Sequence, residues 1–252
     1  MKKNKTNNYI GILLPLLIIL AWQLYSSLGN VSEIIFPKLS SIGGTFVEYG
    51  RDGLLIKDIA SSIVRVLKGY ISGAVIGITL GMLMGNFKTV HKFFGPTLNA
   101  LRQIAPLAWI PLLMLWFGIG DLSKEILIAM GTFYQTMLNT ISGVQRIPQE
   151  YLDFAKNYKI KKIDVLFHIL IPGAAPSILV GLRLGASSAW MAIIAAEMIA
   201  ASSGVGYRIN AARNLMETEV VLAYMIVIGI IGGFMDYMIK KLTSRLVKWQ
   251  ER

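Results

Sequence analysis

Cysteine is absent from this 252-residue chain, which excludes disulfides, thiolate metal sites and cysteine nucleophiles. Histidine is nearly absent. His91 and His168 fall in separate connections and make no cluster for a metal site. Charge is scarce as well: Asp, Glu, Lys and Arg make up 15% of the residues, well below what a soluble domain carries. Several motifs are missing too. No G-x-x-x-x-G-K-S/T phosphate loop occurs, so the chain lacks that means of binding and hydrolysing a nucleotide. There is no G-x-S-x-G elbow, no H-E-x-x-H pair and no run of acidic residues of the kind a proton relay needs. The sequence does not read as an enzyme. It reads poorly as an ion-coupled carrier, although a sodium site built from backbone carbonyls would leave little trace.

What is present is apolar. Residues of the hydrophobic set make up 54% of the chain, which predicts an all-α, polytopic membrane protein in one domain over residues 1–252. Six spans are expected: 9–28; a second from Ile59 or Ile63 to Met84; 93–117, kinked at Pro96, Pro106 and Pro111; 122–144, with Ser123 available to cap it; 177–200; and 220–239. The opening MKKNKTNN and the apolar run after it share features with a secretory signal. The run is long enough to span and no clear small-residue cleavage site follows, so it is read as a retained first span. Lys and Arg number fifteen in the N-terminus, the 86–92 link, the 145–176 connection and the tail, against six in the three opposite connections. That imbalance predicts both termini in the cytoplasm.

Two local patterns stand out. Gly69, Gly73, Gly77, Gly81 and Gly85 recur every fourth residue, laying bare backbone along one helix face and predicting close helix packing. The stretch from Pro148 to Pro176 is polar and basic, and reads as two amphipathic helices, about 149–158 and 161–171. Such a hairpin either docks in a partner's groove or lies on lipid headgroups. Three ionisable residues inside apolar runs are weighed: Arg183 snorkels to the interface or faces a water-filled path, Glu197 reads first as interfacial with a place on the solute path as the alternative, and Arg102 as an interfacial anchor. Trp109, Trp190, Tyr134 and Gln135 are candidate path residues, with packing or interface anchoring as the plainer alternative.

The hairpin resembles the conserved cytoplasmic loop of permease subunits of binding-protein-dependent ATP-binding cassette (ABC) importers, of the form E-A-A, three residues, G, nine residues, I-x-L-P. Asp153, Phe154 and Ala155 stand at the first three positions, Lys159 at the glycine, and Ile169, Ile171 and Pro172 at the close. Three of these seven depart from the pattern, at Asp153, Phe154 and Lys159. The stretches 102–128, 171–185 and 196–232 are similar to the nitrate, sulfonate and taurine branch of that family. The resemblance implies a type I importer permease in the bacterial plasma membrane, paired with a second permease copy in a homodimer or a heterodimer, the homodimer being the first expectation. It implies an ATPase subunit that holds ATP and Mg and grips the hairpin, and an extracytoplasmic solute-binding protein. The implied solute is a small anion such as an alkanesulfonate, taurine or nitrate; a thiamine-precursor pyrimidine or another small heterocycle is the alternative, and a stand-alone secondary carrier a further one. No cofactor or metal is expected in the chain itself. Lysine at position 159 predicts either a right-handed turn there or a matching change in the ATPase, because a positive φ costs lysine more than glycine.

Overall fold

The computed structural model describes residues 7–28 and 32–246. The start of the basic N-terminus and the end of the basic tail lie outside the described residues. Eleven α-helices are formed among the described residues, joined by a 3-10 turn and a π-turn. They are α1 (Asn7–Leu28), α2 (Leu39–Arg51), α3 (Leu54–Asn86), α4 (Lys88–Arg102), α5 (Ile110–Phe117), α6 (Asp121–Gln145), α7 (Gln149–Asn157), α8 (Lys162–Val165), α9 (Ile171–Ala200), α10 (Val205–Asn214) and α11 (Thr218–Leu246).

The centre of the fold is α6, packed between α3 and α9. Glycine allows this. A Cβ at Gly69 would lie 2.7 Å from Ile128 Cβ, one at Gly81 2.7 Å from Thr140 Cβ, and one at Gly85 2.7 Å from Val144 Cβ, while Gly73 and Gly77 meet Ala129 and Thr136 still more closely. On the opposite side, Gly181 of α9 stands against Gln135 and Asn139, and Gly185 against Thr132. Backbones bare on two faces let three helices approach within dispersion contact, the main source of helix association where no water is displaced. Two of the buried hydroxyls on α6 bond within their own helix, Thr136 donating to Thr132 O and Thr140 to Thr136 O, while Thr132 donates across to Gly185 O of α9. The largest apolar cluster joins Val66, Ile110, Leu113, Leu127, Ile128, Trp190 and Ile193, so α5 closes the stack on one side.

Three expectations about boundaries are corrected. The 86–92 link is nearly all helix, because α4 begins at Lys88 after a single extended residue, Phe87. Residues 93–117 are not one continuous helix: α4 and the Pro106–Phe117 segment meet at 90° across residues 103–105. Pro106 cannot donate and disfavours a helical residue before it, which breaks the chain there. The second hairpin helix and the fifth span are continuous from Lys162 to Ala200. Pro172 is absorbed by a π-turn over Leu166–Leu170, with Ile171 N bonded to Leu166 O, a wider turn that relieves the clash of the proline ring with the preceding carbonyl.

Ser123 does not cap α6 with its oxygen as acceptor; Gly120 is the N-cap and Ser123 Oγ donates to Gly120 O. By length and apolar composition α3, the Lys162–Ala200 helix and α11 qualify as membrane spans, and the α4/α5 pair makes a fourth if taken as one broken span. In α1 the described apolar stretch that can be tested is shorter, 13–27, and α6 is long enough at 25 residues but more polar.

Candidate functional site

Two sites lie at opposite ends of the three-helix stack, and a third half-way between them. At the end where α3 begins and α9 finishes, six charged side chains converge. Arg65 is 8% exposed and donates from Nε to Asp121 Oδ1, from Nη1 to Glu197 Oε1 and Ser203 O, each at 2.8 Å, and from Nη2 to Ser203 Oγ at 2.9 Å. Glu197 also accepts from Ser62 Oγ and from Gly206 N at 3.0 Å. Asp58 accepts from Gly204 N, Arg208 Nε and the Tyr224 hydroxyl, and Lys124 caps carbonyls of residues 119 and 120 while lying 3.7 Å from Asp121. Three carboxylates meet three cations, so the cluster is neutral. Burial works against the charge of Arg208, yet its bond to Asp58 more than offsets this and its pKa is raised.

The loop from Ala201 to Gly204 wraps this cluster, and only glycine fits at two places. Gly204 has φ +114°, and a Cβ there would strike the Glu197 carboxylate; one at Gly206 would lie 2.8 Å from Glu197 Cβ. Glu197 is 1% exposed and bonded to Ser62, Arg65 and Gly206, so it is buried in this cluster and does not stand at an interface. Sequence reasoning missed the rest of the cluster. Its trace was Asp58, Ser62 and Arg65 at i, i+4 and i+7, which lie on one face of a helix.

At the other end lies α7. Ala155 is buried, Leu152 half-buried, and Asp153 is exposed, accepting from Gln149. Phe154 and Tyr158 are exposed and in tilted ring contact, with centroids 4.3 Å apart. Tyr151, Ile163 and Phe167 are exposed as well. Ile169 and Pro172 line a cleft of about 600 Å³ beside α7, together with Arg146, Tyr151 and His168, and Ile171 borders an apolar groove against α3.

The turn between α7 and α8 is left-handed at Lys159, φ +53°, which overturns a right-handed turn there. Ile160 N bonds to Ala155 O at 2.9 Å and Lys159 N to Lys156 O at 3.1 Å, the paired bonds of a Schellman motif with lysine at the position glycine prefers. Met216 ends α10 in the same way, at φ +60° with Glu217 N bonded to Ala212 O.

Half-way along, Arg183 bonds Asp236 of α11 through two nitrogens, at 2.6 and 2.9 Å. Trp190 lies beside them and donates to Ile228 O. The other path candidates do not gather here. Tyr134 packs on Phe133, Gln135 borders Gly181, and Trp109 sits in the 3-10 turn Pro106–Trp109 with its buried indole N–H lacking an acceptor among the described residues. Arg102 is exposed at the end of α4. Asp236 was missed, although a carboxylate within an apolar run is itself the signal.

Comparison with known proteins supplies the context. Residues 73–248 match the family model for the binding-protein-dependent transport system inner membrane component. A Bacillus subtilis permease protein named for aliphatic sulfonates transport, SsuC, is 35% identical, covering 95% of this chain and 87% of its own. The taurine transport system permease protein TauC of Escherichia coli is 33% identical, covering 95% and 88%. In fold, a chain of the inward-facing MetNI methionine ABC transporter superposes with a TM-score of 0.67 at 15% identity, over 77% of this chain and 96% of that one.

Proposed function

Because the chain belongs to the family of binding-protein-dependent transport system inner membrane components, we propose that two copies of it form the solute path of an ABC importer driven from outside the chain by an ATPase. As a permease component it is a membrane protein and not an enzyme. The observation that carries the coupling role is the exposed ring pair of Phe154 and Tyr158 at the end of α7, a short helix that Ala155 and Leu152 anchor to the bundle. Aromatic side chains on a rigid, basic helical turn suit a hydrophobic socket on an ATP-binding subunit. That subunit holds ATP and Mg, and closure of an ATPase pair drives the α7 turns of the two copies.

The continuity from Lys162 through Ala200 gives the motion a lever. A displacement at α8 passes along one unbroken helix to Arg183 and to the charged cluster at the far end. In the six-span orientation favoured by the charge count, α7 and both termini are cytoplasmic and the charged cluster faces outward, where a solute-binding protein delivers its load. The solute is a small anion of the alkanesulfonate, taurine or nitrate class, a reading supported by relatives that carry those names for sulfonates and taurine. The test is uptake into sealed vesicles containing the chain, its ATPase and its binding protein. Uptake should require internal ATP and all three components; uptake by the chain alone in ATP-free liposomes would make it a carrier instead.

A further inference from the structure

Besides its glycine contact with α6, α3 meets the continuous α8–α9 segment along a surface groove in two adjoining parts. The deeper part, about 630 Å³, runs between Ile78 and Met82 of α3 and Ile171, Ala175 and Leu179 of α9. The outer part, about 380 Å³, shares Met82, Leu83 and Leu166 with it and opens at Asn86, Phe87 and Lys162. The deep walls are apolar apart from Thr79, whose hydroxyl already donates to Val75 O. From Ile78 to Asn86 the helix rises about 12 Å, at about 1.5 Å per residue, close to half of a hydrocarbon core roughly 30 Å thick.

The mouth is basic. Lys162 is exposed, and no acidic side chain lies within ion-pair distance of it among the described residues. The two chain segments that meet there, 86–92 and 157–165, carry Lys88, Lys92, Lys159, Lys161 and Lys162 against one acidic residue, Asp164.

We propose that this groove holds one anionic phospholipid, with an acyl chain laid between α3 and α9 and its phosphate head at Lys162 and Asn86. The inference goes beyond the importer reading and needs only that the chain is a membrane permease component. A groove with apolar walls accepts any lipid tail, and a basic mouth between helices selects the head. A second copy fits less well. At a two-fold contact centred on the groove, a concave surface would face its own concave counterpart and Lys162 would face the same lysine. A seated tail touches Leu166 in the π-turn as well as Met82 in α3, so the lipid braces the α8 arm of the hairpin against the bundle.

The full chain, purified in mild detergent, is exchanged against phosphatidylglycerol and phosphatidylcholine of identical acyl chains, and bound lipid is counted by native mass spectrometry. One phosphatidylglycerol per chain should be retained, at least fivefold over phosphatidylcholine. Lys162→Gln should bring the two lipids to equal retention, and Ala175→Phe, which fills the deep part, should lower both. Equal retention by the native chain, a preference unchanged in Lys162→Gln, or occupancy unchanged in Ala175→Phe would overturn the site. The native comparison needs no variant and so survives one that fails to fold. Because the chain has no cysteine, Leu83→Cys places a single thiol in the groove at a position 43% exposed. Oxidation in native membranes should leave it monomeric; a disulfide-linked dimer would put a second copy over the groove and overturn the proposal. No readout here involves an ATPase, so the importer reading stands or falls separately.

Discussion

The two ends of the stack are built on opposite principles. At one end six charges are bonded to each other, to backbone amides and to carbonyls, and the residue at the centre, Glu197, is 1% exposed. At the other end, α7 presents the paired rings of Phe154 and Tyr158 to solvent, and the turn that aims them places lysine in a left-handed conformation. The first end is complete within the chain, since each carboxylate of the cluster has a cation or donor within bonding distance. The second is incomplete, because exposed aromatics on an ordered helix gain nothing from water. The clamp joins α3, α6, α9, α10 and α11; on the proposed importer reading, the open face at the far end is where an ATPase would push.

The largest effect that would break this contrast is at the clamp. Glu197→Ala takes the buried carboxylate from Arg65, which keeps Asp121 and Ser203, and leaves Ser62 and Gly206 N without their acceptor; it should cost about 3–5 kcal/mol of stability, thermal unfolding of the purified chain in detergent measures it, and a loss below about 1 kcal/mol would mean the cluster is not a clamp. Next comes packing between the ends. Gly77→Val drives a side chain into Thr136 and toward Phe133 O at 2.8 Å, an overpacking expected to cost about 1–3 kcal/mol. Gly229→Val, where no atom lies within 4 Å, is the matched control and should stay within about 0.5 kcal/mol.

At the open end the signs differ. Phe154→Ala should leave unfolding unchanged yet weaken retention of the ATPase subunit by about 1 kcal/mol or more, roughly five- to tenfold in affinity. Quantitative co-purification reads this, and loss of stability without loss of retention would place Phe154 in the fold instead. The smallest effect is at the turn. Lys159→Gly relieves a left-handed lysine but loosens the unfolded chain, for a net gain under about 1 kcal/mol, with solute-stimulated ATPase activity intact. A large drop in that activity would show that the lysine side chain itself contacts the ATPase.

Which parts could be read from the sequence follows from the range of the interactions. The glycines from Gly69 to Gly85 announce a helix contact because a fourfold spacing is a property of one helix, though not which helix answers; α6 does. The limits of α7 were legible for the same local reason. Continuity of α8 with α9 was not, because Pro172 normally marks a break and the π-turn that accommodates it has no sequence signature. Glu197 was misplaced because its environment comes from residues more than 130 positions away, Ser62 and Arg65. Lys159 shows the same limit: lysine argues against a left-handed turn, and the paired bonds of the helix end impose one.

The central claim is that the open face of α7 is a socket-filling surface for an ATPase. A photoreactive benzoylphenylalanine placed at Tyr158, 70% exposed, and irradiated in native membranes tests it most directly. The account predicts one dominant adduct, identified by mass spectrometry as an ATP-binding cassette subunit and altered in yield by ATP. Adducts with lipid alone, or none that responds to ATP, would contradict it.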